Sequence, residues 1–312
     1  MNYLETLKKV RDNNNQWSKN SQVKIERALQ KAYNDLIDLI DLSSNKPLQL
    51  YNYTSRKNAI AKLAQKLGVN ISMNIKNGMY ESAQDSISMQ TKMYDTLAEK
   101  YGKKINWGTF QSLAPEMAVK NCISRVWGDE NTFSKRVWNL TKLAKDGIGE
   151  ILSSGIARGQ SAIDMSRSLK TFLIDPSISP KWTTGMKPSV SGRGTINYNA
   201  LRLARTEINN SYREARIIAN AASPVTSGVK WNLSNSHPKK DICDEYAEAD
   251  LYELGKGVYP ADKVPIDHPN GLCFLTDVLR PPSEWDKPKY DSDKYSPVDK
   301  LQEDLPKVKK IK

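Results

Sequence analysis

Long apolar segments are missing from this sequence. No run of about 18 or more apolar residues occurs, which excludes a membrane-spanning helix. The first residues also lack the basic stretch and apolar segment of a secretory signal, so we expect intracellular synthesis. The mean hydropathy of −0.62 is that of a polar chain, and we expect no membrane partner.

Cysteine and histidine are scarce. The 312 residues include three cysteines and two histidines. An odd, sparse set of cysteines in a chain without a signal argues against a disulfide framework and predicts reduced thiols. The sequence also has no Gly-rich phosphate loop, no Gly-x-Ser-x-Gly and no Ser/His/Asp arrangement, which leaves nucleophilic catalysis little to use. We therefore predict that the protein is not an enzyme.

Proline is nearly absent from the first half of the chain. Pro47 and Pro115 are the only prolines before residue 176, and thirteen follow. Because proline disrupts helix interiors and central strands, the first part can form long helices and the last third cannot. Apolar residues at helical spacing support this prediction, and Gly68 is predicted to end the second group. The three groups are Ile25, Leu29, Ala32, Leu36 and Ile40; Ala59, Leu63 and Leu67; and Val137, Leu140, Ala144, Ile148 and Ile151.

The predicted fold class is a mainly α N-terminal region with a small α+β C-terminal module and a flexible tail. Residues 1–175 form the basic helical region, and the segment 176–196, rich in Pro and Gly, is predicted as a linker. The α+β module spans 197–280 and opens with a helix from about Asn197 to Ala222. Residues 281–312, with five prolines and alternating charges, are predicted as an extended or disordered tail.

The net charge of +12 is unevenly distributed. Residues 1–200 carry 29 basic and 17 acidic residues, whereas residues 201–312 carry 18 of each. A basic region favours polyanions such as DNA, because each phosphate contact releases condensed counterions. The alternative is a solvated helical surface in which Lys outnumbers Glu. If DNA binds, the candidate contacts are the residues where basic side chains lie densest: Lys103, Lys104, Lys120, Arg125, Lys135, Arg136, Lys142 and Lys145.

Both histidines and two of the three cysteines fall between residues 237 and 273. These four residues are His237, Cys243, His268 and Cys273, and together they could form a tetrahedral Cys2His2 zinc site. Their spacing differs from a standard zinc finger, where cysteine pairs with cysteine and histidine with histidine. The alternative is a module without a cofactor, in which one cysteine is buried, one histidine lies at the surface and the turns are hydrogen-bonded.

Acidic residues near these positions suggest two further hypotheses. A group of carboxylates could bind magnesium or calcium, although three of them stand at the spacing of an exposed helix face. Asp267 and His268, with Asn270, faintly resemble the start of a metal-dependent nuclease motif, but no second metal-binding element follows them. The carboxylate group is Asp241, Asp244, Glu245, Glu248 and Asp250.

Five short motifs in order resemble the phage head morphogenesis family, the Mu F-like minor capsid proteins. They are GIARGQS at 155–161, ARTE at 204–207, WNLS at 231–234 followed by SHP at 236–238, DICD at 241–244, and PIDHPNGLC at 265–273. The similarity covers roughly residues 130–280. The family usually ends in His-Pro-x-Cys-x-Cys, and here Gly271 stands at the place of the first of those cysteines. One potential metal ligand of the family is therefore absent from this chain.

The resemblance implies a minor capsid protein of a tailed bacteriophage, located inside the head of the virion and in the host cytoplasm during assembly. It implies association with the portal protein, with the scaffold or the major capsid protein as further candidate partners. A basic, helical, non-catalytic chain suits non-specific binding of duplex DNA in that setting. Two alternatives stay open: a metal-dependent nuclease acting on DNA, and a portal-binding assembly adaptor that does not bind DNA.

Overall fold

A computed structural model describes residues 3–41, 46–47, 50–174, 195–234, 240–269 and 271–287. These residues form seven α-helices and a three-stranded antiparallel sheet. The fold class predicted from the sequence, mainly α with a small α+β part near the C-terminus, is confirmed. The elements in chain order are α1 (Tyr3–Ile40), α2 (Leu50–Glu99), α3 (Phe110–Ser124), α4 (Phe133–Ala157), α5 (Ala162–Leu173), α6 (Ile196–Ala222), β1 (Thr226–Asn232), α7 (Ile242–Glu248), β2 (Val258–Tyr259) and β3 (Phe274–Leu279).

The chain divides into two compact units that interleave along the sequence. The helical unit comprises Ser18–Gly78 and Arg125–Thr206, and the mixed unit comprises Met1–Trp17, Met79–Ser124 and Glu207–Lys312. Long helices contribute residues to both units, so this division differs from the consecutive blocks predicted from proline content. The predicted linker falls almost entirely on residues 175–194, outside the described part of the chain. Among the described helices, none has the length and apolar content to cross a membrane.

In the helical unit, most residues of the stripes predicted on α1 and α4 are buried, whereas Ala59 and Leu63 of the second group are only half-buried. Ile25, Leu29 and Leu36 on α1 are fully buried, as are Ala144 and Ile148 on α4. The predicted end of a helix at Gly68 is wrong, because α2 continues through it to Glu99. A Cβ at residue 68 would lie 2.0 Å from Oγ1 of Thr141 on α4. The glycine therefore permits a close approach of two helices and does not terminate one.

A tight turn connects α4 and α5. The amide of Gln160 donates to the carbonyl of Gly155 at 2.9 Å, and Gly159 has a φ of +64°, a conformation that glycine adopts without strain. Ser161 then caps α5, accepting a hydrogen bond from the amide of Asp164 at 3.2 Å.

In the mixed unit, α6 packs closely against α2 through small residues. Ala215 and Ala219 share a hydrophobic cluster with Ala83 and Ile87. The hydroxyl of Ser211 donates to the carbonyl of Met79 at 3.0 Å. The small side chains at these positions allow the close approach of the two helices.

The sheet has the order β2-β1-β3, and both pairings are antiparallel. Trp231 on the central strand is almost completely buried and stands opposite Leu275 on β3. A second hydrophobic cluster surrounds it and includes Tyr246 of α7 together with Cys243 and Cys273. The sheet and the short helix α7 therefore share one core, and both cysteines belong to it.

The folded chain extends beyond β3, further than the sequence predicts. Trp285 is buried in the cluster formed by α2, α3 and α6, and its indole donates to the carbonyl of Arg280 at 3.0 Å. Tyr101 contacts the same ring edge-on. The segment predicted as a tail thus begins with residues that belong to the core, and residues 288–312 lie outside the described part.

Candidate functional site

The candidate site lies where α7 meets the segment that leads into β3. Asp241 is the N-cap of α7, and its side chain accepts a hydrogen bond from the amide of Cys243 at 2.8 Å. Asp244 completes a capping box by accepting from the amide of Asp241 at 2.7 Å. This local sequence fixes the first turn of the helix, so Cys243 points into the core while Asp241 stays at the surface.

Three potential metal ligands converge at this point. One atom each from Asp241, Cys243 and His268 lies within 4.8 Å of the others. Nε2 of His268 is 3.4 Å from Oδ2 of Asp241 and 3.7 Å from Oδ1 of Asp267. Sγ of Cys243 is 3.4 Å from the same oxygen of Asp267. A thiol, an imidazole and two carboxylates therefore face one another.

The ring of His268 is oriented by its own backbone surroundings. Nδ1 lies 3.1 Å from the carbonyl oxygen of Pro269, and donation to this carbonyl requires that Nδ1 carry the proton. In that tautomer of the neutral ring, Nε2 presents a lone pair toward the two carboxylates. The side chain is 33% exposed, so the site is open to solvent on one side.

Asp267 is held in place by a buried cation. Its side chain is completely buried and forms an ion pair with Arg213 of α6. Arg213 also donates from Nε to the carbonyl of Cys273 at 3.1 Å. The guanidinium thus connects both ends of the segment 267–273 to α6 and offsets the charge of the buried carboxylate.

Gly271 is required by the packing of this segment. A Cβ at this position would lie 2.0 to 2.3 Å from the carboxylate atoms of Asp267. Those atoms cannot move aside easily, since Asp267 is buried and paired with Arg213. Residue 271 is also where the chain departs from the family pattern, as noted above. Here the carboxylate of Asp267 fills the space that a side chain at 271 would occupy.

Gly271→Ala is expected to lower the free energy of unfolding by about 1 to 3 kcal/mol, the usual cost of forcing extra atoms into a packed site. Gly128→Ala is the matched control, because a Cβ at 128 meets no atom within 4 Å. Its effect is expected to stay within about 0.5 kcal/mol. Urea titrations of both variants measure the difference, and equal effects would contradict the packing account.

The two buried thiols of the site influence each other. The side-chain interaction with Cys273, with burial and the nearby Asp267 as further causes, raises the pKa of Cys243. The same interaction lowers the pKa of Cys273 to about 7, although burial opposes that shift. Both cysteines, like Cys122, are free and buried.

The structure changes the ligand set predicted from the sequence. Cys243 and His268 belong to the same cluster of ligand atoms, and Cys273 interacts with Cys243, whereas His237 falls outside the described residues. Asp241, which the sequence offered only as one of several carboxylates, takes a place beside His268. Three other members of the predicted carboxylate group have local partners: Asp244 caps α7, Glu248 pairs with Lys256, and Asp250 accepts from the amide of Gly255. Among the described residues, the hypothesis that the whole group forms an acidic metal site therefore finds no support.

A basic surface runs along α4 in the helical unit. Lys135, Trp138, Lys142 and Lys145 are all exposed and stand at positions i, i+3, i+7 and i+10 of one helix face. The ring of Trp138 is 52% exposed, with Nζ of Lys135 at 4.1 Å and Nζ of Lys142 at 5.5 Å from its centroid. The tryptophan therefore gathers two of the lysines into one stripe, which spans about 15 Å of helix.

None of the other predicted DNA contacts belongs to this exposed face of α4. Lys103 pairs with Asp286 and lies over the ring of Trp285, and Arg136 is held by Asp129 at 2.9 Å. These two cations have partners within their own units. Lys104 and Lys120 are exposed in the mixed unit, and Arg125 is half-buried.

Sequence reasoning missed the charged residues inside the mixed unit. Arg213, Arg216 and Asn220 stand at helical spacing on α6 and are buried. Arg216 pairs with Asp277 of β3 at 2.7 Å, and Asn220 donates to the other oxygen of that carboxylate at 2.9 Å. The sequence does show basic and amide residues at helical spacing on α6, next to its apolar stripe. This pattern does not reveal that the partners are Asp267 and Asp277.

Comparisons with protein-family models, with curated proteins and with solved structures gave no match for this chain.

Proposed function

We propose that this protein is a minor capsid protein that acts in head morphogenesis of a tailed bacteriophage. It lies inside the head, binds duplex DNA without sequence preference and associates with the portal during assembly. The proposal rests on the ordered motifs in the sequence, and it assigns no catalytic activity to the chain.

The observation that carries the proposal is the way three of these motifs meet in space. Trp231, Cys243 and Cys273 come from three separate segments and belong to one hydrophobic cluster. Arg213 of α6, a few residues after the ARTE motif, joins them by its contacts with Cys273 and with the ring of Trp231. Motifs whose residues pack in one core depend on one another for folding. Their contacts therefore support the interpretation that these motifs mark a single module.

The α4 stripe supports the DNA-binding part of the proposal. Its three lysines carry like charges along one exposed face, and Asp146 and Glu150 follow at its C-terminal end. Lysines contact phosphates as point charges and confer no base preference, which suits a protein that binds packaged DNA of any sequence. The exposed ring of Trp138 helps to hold two of these lysines in position.

Replacing Lys135, Lys142 and Lys145 together by alanine is expected to weaken binding to linear duplex DNA. Each lost phosphate contact should reduce the slope of log K against log salt by about 1, so the triple variant should lose roughly 3. The loss should be equal for DNA fragments of unrelated sequence. Gel-shift titrations at several salt concentrations measure the slope.

A matched control removes the same charge from another exposed surface of the same unit, with Lys57, Lys62 and Lys66 of α2 replaced by alanine. This variant should bind DNA with nearly the slope of the wild type. Equal losses in both variants would mean that net charge and not the α4 stripe determines binding. That result would reject α4 as the DNA surface.

The same gels separate the alternative functions. Cleavage of the DNA that needs a divalent cation and disappears in His268→Ala would identify a nuclease and reject a structural role. Intact DNA with no shift at low salt, combined with co-sedimentation with portal rings, would leave a portal adaptor without DNA binding. A shift that weakens with salt, with intact DNA in every lane, is the expected result.

A further inference from the structure

We propose that Cys243, His268 and Asp241 bind a zinc ion, with Asp267 completing the coordination. This site differs from the Cys2His2 arrangement that the sequence suggests, because a surface carboxylate and a buried carboxylate take part. The inference concerns a metal site and does not depend on DNA binding or on the virion assignment.

The spacing of the donor atoms fits a tetrahedral ion. Zinc bonds of about 2.0 to 2.3 Å at the tetrahedral angle place neighbouring donors roughly 3.3 to 3.8 Å apart. Nε2 of His268 lies 3.4 Å from Oδ2 of Asp241 and 3.7 Å from Oδ1 of Asp267. Sγ of Cys243 lies 3.4 Å from that oxygen of Asp267. The ligand atoms of Asp241, Cys243 and His268 all lie within 4.8 Å of one another, so small side-chain movements would bring them to these separations.

The orientation of His268 suits a metal ligand. When Nδ1 donates to the carbonyl of Pro269, Nε2 of the neutral ring is directed toward the two carboxylates and is available to coordinate a cation between them. A backbone carbonyl on the distal nitrogen is also the usual support of a metal-binding histidine, because it fixes the tautomer and the ring orientation.

Zinc binding would release one proton from the thiol of Cys243 to solvent, since the thiolate is the metal ligand. Loss of this proton also frees the lone pair of Asp267 Oδ1 that accepts from the thiol in the metal-free arrangement. Arg213 remains paired with Asp267 and balances part of the negative charge of the ligands. The thiolate and the two carboxylates are then offset by the zinc and the guanidinium.

The ion would join elements that are distant in sequence. Asp241 and Cys243 belong to the start of α7, whereas Asp267 and His268 precede β3. This part of the mixed unit has few regular elements, so binding free energy would stabilise its fold directly. The proposed role is therefore structural, and zinc should raise the melting temperature of the protein.

The test uses the full chain, stripped of metal, with Zn²⁺ titrated against a chromophoric chelator and Co²⁺ as a spectroscopic substitute. We expect a single ion per chain and a thiolate-to-cobalt charge-transfer band. Cys243→Ser, His268→Gln and Asp241→Asn should each lower the zinc affinity by more than about tenfold. Mutation of residues that only hydrogen-bond to a metal ligand already lowers metal affinity by about that factor, and loss of a ligand itself should cost more. Asparagine at 241 preserves the N-cap, and His268 is partly exposed, so these two variants should fold normally.

Two controls match the ligand variants in chemistry. Cys122→Ser changes a buried cysteine of α3, and Glu245→Gln changes an exposed carboxylate of α7. Both should bind zinc like the wild type. The proposal is overturned if the wild type does not retain zinc against the chelator. It is also overturned if His268→Gln and Asp241→Asn bind as tightly as the controls.

Discussion

Asp277→Asn is expected to lower the free energy of unfolding by about 3 to 5 kcal/mol, because it leaves a buried cation without its partner. The side chains of Arg216 and Asp277 are 1% and 0% exposed, and they lie 2.7 Å apart. The other oxygen of Asp277 accepts a hydrogen bond from Asn220, which also donates to the carbonyl of Gly228 on β1. This network fastens the sheet to α6. Urea unfolding followed by circular dichroism measures the loss.

Two further variants separate the loss of a partner from the loss of a charge. In the double variant Arg216→Met with Asp277→Leu, no unpaired charge remains, so its stability should be much closer to that of the wild type. Asp35→Asn breaks an exposed pair with Lys31 on α1 and should change stability by no more than about 0.5 kcal/mol. If Asp277→Asn had an equally small effect, the buried ion pair would not be the connection between sheet and helix.

Arg213→Met is the second large effect that we expect, again about 3 to 5 kcal/mol, since it leaves the carboxylate of Asp267 buried and unpaired. It also removes the hydrogen bond to the carbonyl of Cys273. Urea titration measures the loss, and hydrogen exchange should show reduced protection of β3.

Arg213→Lys distinguishes charge from geometry in the same position. Lysine can still pair with Asp267, but it lacks the planar fork that reaches the carbonyl of Cys273 at the same time. Its stability should therefore fall between those of the wild type and Arg213→Met. Arg167→Met, which breaks an exposed pair with Asp164 on α5, is the surface control and should have little effect. A lysine variant as unstable as the methionine variant would contradict a role for the charge.

Predictions from periodicity succeeded where one face of a helix is buried and the other is exposed to solvent. The spacing of Ile25, Leu29 and Leu36 identified the buried face of α1. The cap that Ser161 provides for α5 is equally local, because its partner is the amide of Asp164. Such signals depend on residues within a turn or two of each other. The prediction failed at Gly68, where the decisive neighbour is Thr141 on another helix.

The candidate site was only partly predictable for the same reason. The rarity of histidine and cysteine drew attention to Cys243, His268 and Cys273. Asp241 could not be selected from several nearby carboxylates, because its role depends on the direction in which α7 begins. Trp285 was likewise assigned to a tail, since its buried contacts come from residues far away in the chain.

The sequence by itself determined the helical character of most of the chain, the turn after α4 and the identity of the rare chemical groups. These properties follow from interactions between residues that are close along the chain, and composition and spacing report them directly. Only the tertiary structure decided which charges are buried together, as in the pairs of Arg213 with Asp267 and Arg216 with Asp277. Pairing across 54 and 61 residues (267 − 213 and 277 − 216) depends on how the sheet packs on α6, and no local pattern encodes that geometry.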